Sequence, residues 1–527
     1  MPFDWNFPYP SQRMPVFAPT VVATSHPLAA QAGLRMLLKG GNAVDAAVAT
    51  AITLTVVEPT SNGIGGDAFA LVWDGSQLHG INGSGRSPAA WTTERFAGLD
   101  AMPELGWDTV TVPGAVDTWV RLSERFGKLP FQELFGPAIA YAQNGYGVSP
   151  ITAARWEEAI DLYAQYPDFA ATFLVGGKAP GAGELFRCPA QARTLEAIAA
   201  SGGEAFYRGA IAEKIVQYAQ DTGGSLAGGD LERHRSEWVD PIAVEFAGCH
   251  VHEIPPNGQG LAVLIALVIL ERLEIGRYAL DGVDSIHLQI EALKVAFAEA
   301  HGHICDPASM AVPPEDLLAD DYLDRRAGAI DLQRAASPGP SLPGERGTVY
   351  LTTAGANGLM VSMIQSNYQG FGSGLVVPGT GISLHNRGNG FVTDPAHPNG
   401  AGPAKRPYHT IIPGFVTCGG QPLMSFGVMG AHMQPQGQVQ LAVRLLCHAQ
   451  NPQSACDAPR WYVEKDGRIA LEPGVGPDLA AALAARGHRF MDPGREPIFG
   501  GAQVIYRMPD GYCAASDPRK DGLAVGF

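Results

Sequence analysis

The stretch Ala335 to Gly347, AASPGPSLPGERG, holds three prolines and three glycines and little that could pack, so it reads as an exposed linker that ends directly on Thr348. From Thr348 to Thr353 the pattern turns strand-like, reverses at Gly355-Ala356-Asn357-Gly358, and runs back over Leu359 to Gln365, as a hairpin would. A cut of the Gly347–Thr348 bond would make Thr348 a hydroxyl nucleophile whose own freed α-amine serves as general base. The plain alternative is a β-branched residue that opens a strand after a loop. The residues alone leave both readings open.

Other constellations say less. Gly63-Ile64-Gly65-Gly66-Asp67-Ala68 matches G-x-G-x-x-A, but a dinucleotide site needs a helix next and an acid about 20 residues on. A hairpin follows instead, turning at Asp74-Gly75, and no acid occurs between Asp74 and Glu94. The cluster therefore reads as a tight turn lining some other site. His250/His252 and His301/His303 are i, i+2 pairs that would share a face on a strand, yet no third ligand is readable, so no metal is expected. The seven cysteines are scattered without a C-x-x-C pair, and no G-x-S-x-G elbow occurs.

Positioning falls to many elements. Hydrophobic residues are 46% of the 527 and charged residues 17%, which supplies a large core and excludes global disorder. Helices are expected at Leu28–Leu38 and Ala43–Leu54, each buried on one face, then at Ala153–Tyr163, Arg193–Ala200, Gln259–Leu273 and Ser285–Glu299. Strands are expected at Ala68–Trp73, Gln77–Ile81, Ile242–Phe246, His250–Ile254, Thr410–Thr417 and Leu423–Val428, and an amphipathic helix over Gly437–Cys447. Leu261 to Leu270, the longest apolar run, is too short to span a bilayer, and residues 1 to 25 lack the apolar core of a secretory signal. A soluble, cytoplasmic protein is expected. The net charge of −16 disfavours nucleic acid and membrane partners, and an anionic substrate would need locally placed arginines.

Taken together, Gly40 to Ala47, Glu58-Pro59 to Asp67, Val112-Pro113-Gly114, Pro255 to Gly260 and the Gly347-Thr348 junction resemble the γ-glutamyltransferase family, in order, over nearly the whole chain. The resemblance implies an α+β fold, the four-layer αββα sandwich of N-terminal nucleophile hydrolases. It further implies a proenzyme that cuts itself before Thr348 into residues 1–347 and 348–527, the two pieces forming one interleaved domain and a heterodimer that can dimerise further. Thr348 then matches the nucleophile and Ser366 the second hydroxyl that orients it. Gly430 and Ala431 match the oxyanion-hole pair, and Arg86 matches the arginine that grips a substrate carboxylate. No cofactor is implied.

Departures from the family shape the substrate expectation. Its transferases hold the glutamyl α-amine with an Asp, an Asn and a Gln where this chain has Gly390, Tyr368 and Arg387, and two serines are replaced by His409 and Thr410. Exchanging an acid for a guanidinium favours a plain carboxylate over a zwitterion. Arg86, Arg387, Tyr368, His409 and Thr410 are thus the expected substrate contacts. The pattern is similar to the branch that hydrolyses oxamate to oxalate and ammonia in purine catabolism, with γ-glutamyl amides such as glutathione as the alternative.

Overall fold

The first two helices begin where side chains can satisfy free backbone N–H groups. In the computed structural model, which describes residues 8–9, 13–336, 347–492, 494 and 498–527, His26 accepts from Leu28 N ahead of helix Pro27–Leu38. Asn42 accepts from Val44 N and Asp45 N, and Asp45 reciprocates on Asn42 N, a capping box that opens helix Ala43–Val57. This second helix is buried on every side rather than on the one face expected, because it is covered by neighbouring helices as well as by a sheet.

Two seven-stranded antiparallel sheets form the centre. The first runs, in spatial order, Leu523–Gly526, Val21–Thr24, Val349–Ala354, Met360–Ser366, Asp67–Trp73, Leu78–Asn82 and Glu237–Val239. The second runs Val16–Ala18, Gly511–Ser516, Gly501–Met508, Gln421–Met429, Gly414–Cys418, Cys249–Glu253 and Ile242–Phe246. Strand period divides their side chains between cores. Tyr350, Ile364, Phe69, Leu71, Phe415 and Ile505 meet between the sheets. Val349, Leu351, Val361 and Met363 face the other way, onto helix Ala43–Val57 and its neighbours. Helices Gly260–Arg272, Val283–His303 and Met433–Ala442 pack on the outer face of the second sheet. The order is helix, sheet, sheet, helix, as expected.

Several local readings change. His301 and His303 sit at the end of helix Val283–His303, where an i, i+2 pair does not share a face. The expected strand Thr410–Thr417 is strand only over Gly414–Cys418, since before it Ile411 N donates to His409 Nδ1, Ile412 N donates to Gln434 Oε1 and the Ile412 carbonyl accepts from Gln438 Nε2. The helix expected at Gly437 starts at Met433, is buried all round, and closes in a π turn at Val443–Cys447. The linker reading falls almost wholly on residues 337–346, outside the described residues. Among the described residues, no helix is long and apolar enough to cross a membrane.

Candidate active site

Register brings three side chains into a row. Val349 pairs with Gln365, so Thr348 lies one step beyond, opposite Ser366, and Ser366 pairs with Asp67 on the next strand. All three have the parity of Tyr350, Ile364 and Phe69 and therefore point between the sheets. Gly66 permits the close approach: a β-carbon there would come 2.6 Å from the Ser366 carbonyl oxygen. The glycine cluster is thus the turn lining a site that its sequence suggested.

Thr348 is 2% exposed. Its Oγ1 donates to the Gly347 carbonyl oxygen at 2.8 Å and lies 3.3 Å from Ser366 Oγ. Ser366 Oγ donates to the same carbonyl at 2.5 Å and accepts from Tyr368 N at 2.7 Å and from Arg387 Nη2 at 3.3 Å. Two hydroxyls therefore converge on the peptide group that precedes Thr348.

Behind Ser366 lies a fully buried polar cluster. Arg387 Nη1 donates to Thr410 Oγ1 at 2.8 Å, and its guanidinium stacks 4.3 Å from the Tyr368 ring centroid. Burial lowers the Arg387 pKa to about 10, with the Asp67 carboxylate opposing. Asp67 accepts from Gly114 N at 3.0 Å, and burial pushes its carboxyl up to about 7 although Arg387 and the Gly114 and Gly85 N–H groups pull downward. Ile411 N donates to His409 Nδ1, which leaves His409 Nε2 to donate to Asp67 Oδ2 at 3.0 Å. Burial, with Arg387 second, holds His409 well below its ordinary value and keeps it neutral.

The opposite wall comes from the second sheet. Gly430 and Ala431 follow strand Gln421–Met429 with φ of 117° and 44°, a left-handed turn that costs least at glycine. Gln259 braces it, donating from Nε2 to the Ala431 carbonyl at 3.0 Å and to the Thr410 carbonyl at 2.6 Å, while Tyr408 Oη donates to Gln259 Oε1 at 2.9 Å. One glutamine from the Pro255–Gly260 motif thereby couples the turn to the residue that holds Arg387.

Thr348, Gly347, Gly430 and Ala431 border a cavity of about 510 Å³, together with Thr60, Ser61, Glu104, Arg155, His432, Glu464 and Lys520. Arg387, Tyr368, His409 and Thr410 are brought together but do not line it. Arg86, expected at a substrate carboxylate, is not among the residues that border this cavity. Its guanidinium bonds Asp306 Oδ2 at 2.6 Å and the Ala404 carbonyl at 3.1 Å, with Glu237 at 3.8 Å, so acids outside the cavity already neutralise it. Asp67, Gln259, His432, Thr60 and Lys520 went unassigned in the sequence. Asp67 and Thr60 lie in the Glu58–Asp67 motif and Gln259 in the Pro255–Gly260 motif, but neither motif assigned them a role.

His287, Glu291 and His488 come close enough to hold a metal ion. Lys294 Nζ already supplies a cation 2.7 Å from Glu291 Oε1, and the two imidazoles bond each other at 2.7 Å. Within the triad His488 Nδ1, 4.0 Å from Glu291 Oε1, is the ring nitrogen that lacks a hydrogen bond.

The helix–sheet–sheet–helix sandwich, with a threonine hydroxyl at the head of an interior strand, defines the class as an amide-bond hydrolase of the N-terminal nucleophile type. Within that class the chain belongs to the γ-glutamyltranspeptidase family, whose model matches residues 29–527. It is 37% identical over 517 residues to the glutathione hydrolase-like YwrD proenzyme of Bacillus subtilis, covering 96% of this chain and 98% of that one. It is 35% identical to the oxamate amidohydrolase proenzyme of Klebsiella pneumoniae, covering 95% and 97%. The crystal structure of cephalosporin acylase from Bacillus halodurans superimposes with a TM-score of 0.94 at 46% identity, covering 99% of both chains.

Proposed function

We propose that this chain is a self-processing amidohydrolase in which Thr348 acts first on the chain itself and then on an amide whose acyl part carries a carboxylate. The observation that carries this is the convergence of Thr348 Oγ1 and Ser366 Oγ on the Gly347 carbonyl. In processing, Thr348 Oγ adds to the Gly347 carbonyl carbon and the Gly347–Thr348 C–N bond breaks. The resulting ester is hydrolysed by water, leaving residues 1–347 and a second piece that starts at Thr348 with a free α-amine. In turnover, that amine takes the Thr348 hydroxyl proton as Oγ attacks the substrate carbonyl. The Gly430 and Ala431 N–H groups stabilise the oxyanion, the amine leaves with the proton, and water releases the acid.

Arg387, held on Ser366 and Thr410, keeps Ser366 oriented toward the nucleophile, with Tyr368 and His409 fixing the guanidinium and Asp67. Oxamate, the substrate named for one relative, is the smallest member of the class. The cavity supports a second reading, hydrolysis of a bulkier amide, because about 510 Å³ lies within the range of about 300–1,000 Å³ that takes drug-sized ligands. The sequence-based objection to γ-glutamyl amides loses force, since Glu104 and Glu464 line the cavity and offer acids to an ammonium.

A denaturing gel with mass spectrometry tests processing: two pieces in the wild type and one in Thr348→Ala are expected, and intact wild type would sink the proposal. Parallel assays on oxamate, γ-glutamyl-p-nitroanilide and larger carboxylate amides separate the substrates. Strong turnover of the γ-glutamyl substrate alone would overturn the plain-carboxylate reading.

A further inference from the structure

Cys249 and Cys418 are the end residues of neighbouring strands in the second sheet. Strand Cys249–Glu253 starts after the turn at Ala247-Gly248, and strand Gly414–Cys418 stops at the turn Gly419-Gly420, with positive φ at all four turn residues. The strands are antiparallel and pair Phe415 with His252, Val416 with Val251 and Thr417 with His250, so the next step sets Cys418 opposite Cys249. Both side chains share a face. Val251 and Val416, two residues further in, lie in the core under the outer helices, and the two cysteines pack into that same core.

Directly opposed residues of an antiparallel pair have Cα atoms about 4.5 to 5.5 Å apart, within the span of about 4.4 to 6.8 Å that a disulfide accepts. The register therefore brings two thiols within bonding range. They differ in access: Cys249 is buried, whereas Cys418 is partly exposed beside its turn and donates from Sγ to the Gly248 carbonyl at 3.6 Å. Burial pushes the Cys249 thiol up to about 12, and contact with the Cys418 thiol pushes it the same way, so Cys418 is the one that meets an oxidant first. The pair also straddles the junction before Thr348, since Cys249 belongs to residues 1–347 and Cys418 to residues 348–527. Neither is among the residues that border the nucleophile's cavity.

We propose that Cys249 and Cys418 form a redox pair that a small-molecule disulfide converts to a covalent bond between the two pieces of the processed protein. Cys418 Sγ, as a thiolate, attacks one sulfur of the small disulfide and displaces the other as a thiol. Cys249 Sγ then attacks Cys418 Sγ and displaces the second small thiol. The protein dithiol loses two electrons, the small disulfide gains them, and the two protein thiol protons end on the released thiols. The tie rests on the proposed cut before Thr348, since in an uncut chain the same bond only closes a loop.

Mature protein treated with hydroxyethyl disulfide, quenched with N-ethylmaleimide and run on a denaturing gel reads the tie directly. Without reductant one band of the full chain's mass is expected, and with reductant two. Mass spectrometry of the digest should show the Cys249 and Cys418 peptides linked, and Cys418→Ser should run as two bands in both lanes. Two bands from the wild type in both lanes, or a tie that persists in Cys418→Ser, overturns the pair. One band in both lanes means that no cut occurred and sinks the processing reading, while the digest still decides the pair: with the linked peptide it stands, without it it falls. Should Cys418→Ser not fold, the wild-type digest decides in the same way. Dilution gives a second readout. The urea midpoint of the reduced protein should fall with concentration and that of the oxidised protein should not, because the tie makes reassembly intramolecular; an equal fall in both overturns the tie.

Discussion

The two sides of Thr348 are built differently. Behind it, Ser366, Arg387, Thr410, Asp67 and His409 are buried, with Arg387 bonded to Ser366 and Thr410, His409 bonded to Asp67, and only Arg387 Nε among their hydrogen-bonding atoms here left without a partner. In front, Thr60 and His432 border the cavity with polar atoms that have no partner; burial, with His301 second, lowers the His432 pKa to about 3 and keeps both of its unpartnered ring nitrogens uncharged. Groups that are satisfied within the fold can position a nucleophile but have nothing left to offer a ligand. Groups left idle at the edge of a cavity can recognise one.

The largest effect expected from breaking this contrast is at the nucleophile. Thr348→Ala should stay uncut on a denaturing gel and lose amide hydrolysis by about four orders of magnitude or more. Next comes Arg387→Met, which leaves Asp67 buried without its cation. Thermal unfolding should show a loss of about 3 kcal/mol and activity should fall with it, whereas equal turnover by wild type would mean that the rear cluster does not position the site.

Gln259→Leu sharpens the role of the brace. Releasing the Ala431 and Thr410 carbonyls should lower kcat by about tenfold to a hundredfold with little change in KM, as steady-state kinetics would show.

Asp67 predicts a pH signature. Its folded pKa of about 7 exceeds the ordinary carboxylate value, so between about pH 4 and 7 the native state holds a proton that the unfolded chain has released. Stability therefore falls as pH rises through that window. Asp67→Asn should flatten the dependence in chemical denaturation and remove any inflection near pH 7 from kcat/KM. The smallest effect is expected for Arg86→Ala, which breaks a half-exposed contact: about 1 kcal/mol of stability or less, and no change in KM for anionic amides.

Much of this was legible locally. A glycine stop and apolar runs announced the first helices and a turn announced the hairpin, whereas the place of Thr348 opposite Ser366 came from the observed register. The G-S-G-R-S-P string shows an arginine but not Asp306, the partner it bonds 220 residues away. Lys520 and Thr60 were silent for the same reason. A lone lysine and a lone threonine read as surface residues until the Asp517–Asp521 segment is seen to fold against Arg13 and to put Lys520 on the border of the cavity with Thr60.

The sequence by itself offered Thr348 as a nucleophile candidate, from a linker that ends on a strand, and reached the family and the four-layer fold only through the resemblance that its ordered motifs carry. Only the tertiary structure decided which charges are spent and which remain free. That depends on partners hundreds of residues apart, and a side chain's availability is a property of its neighbours rather than of its own chemistry.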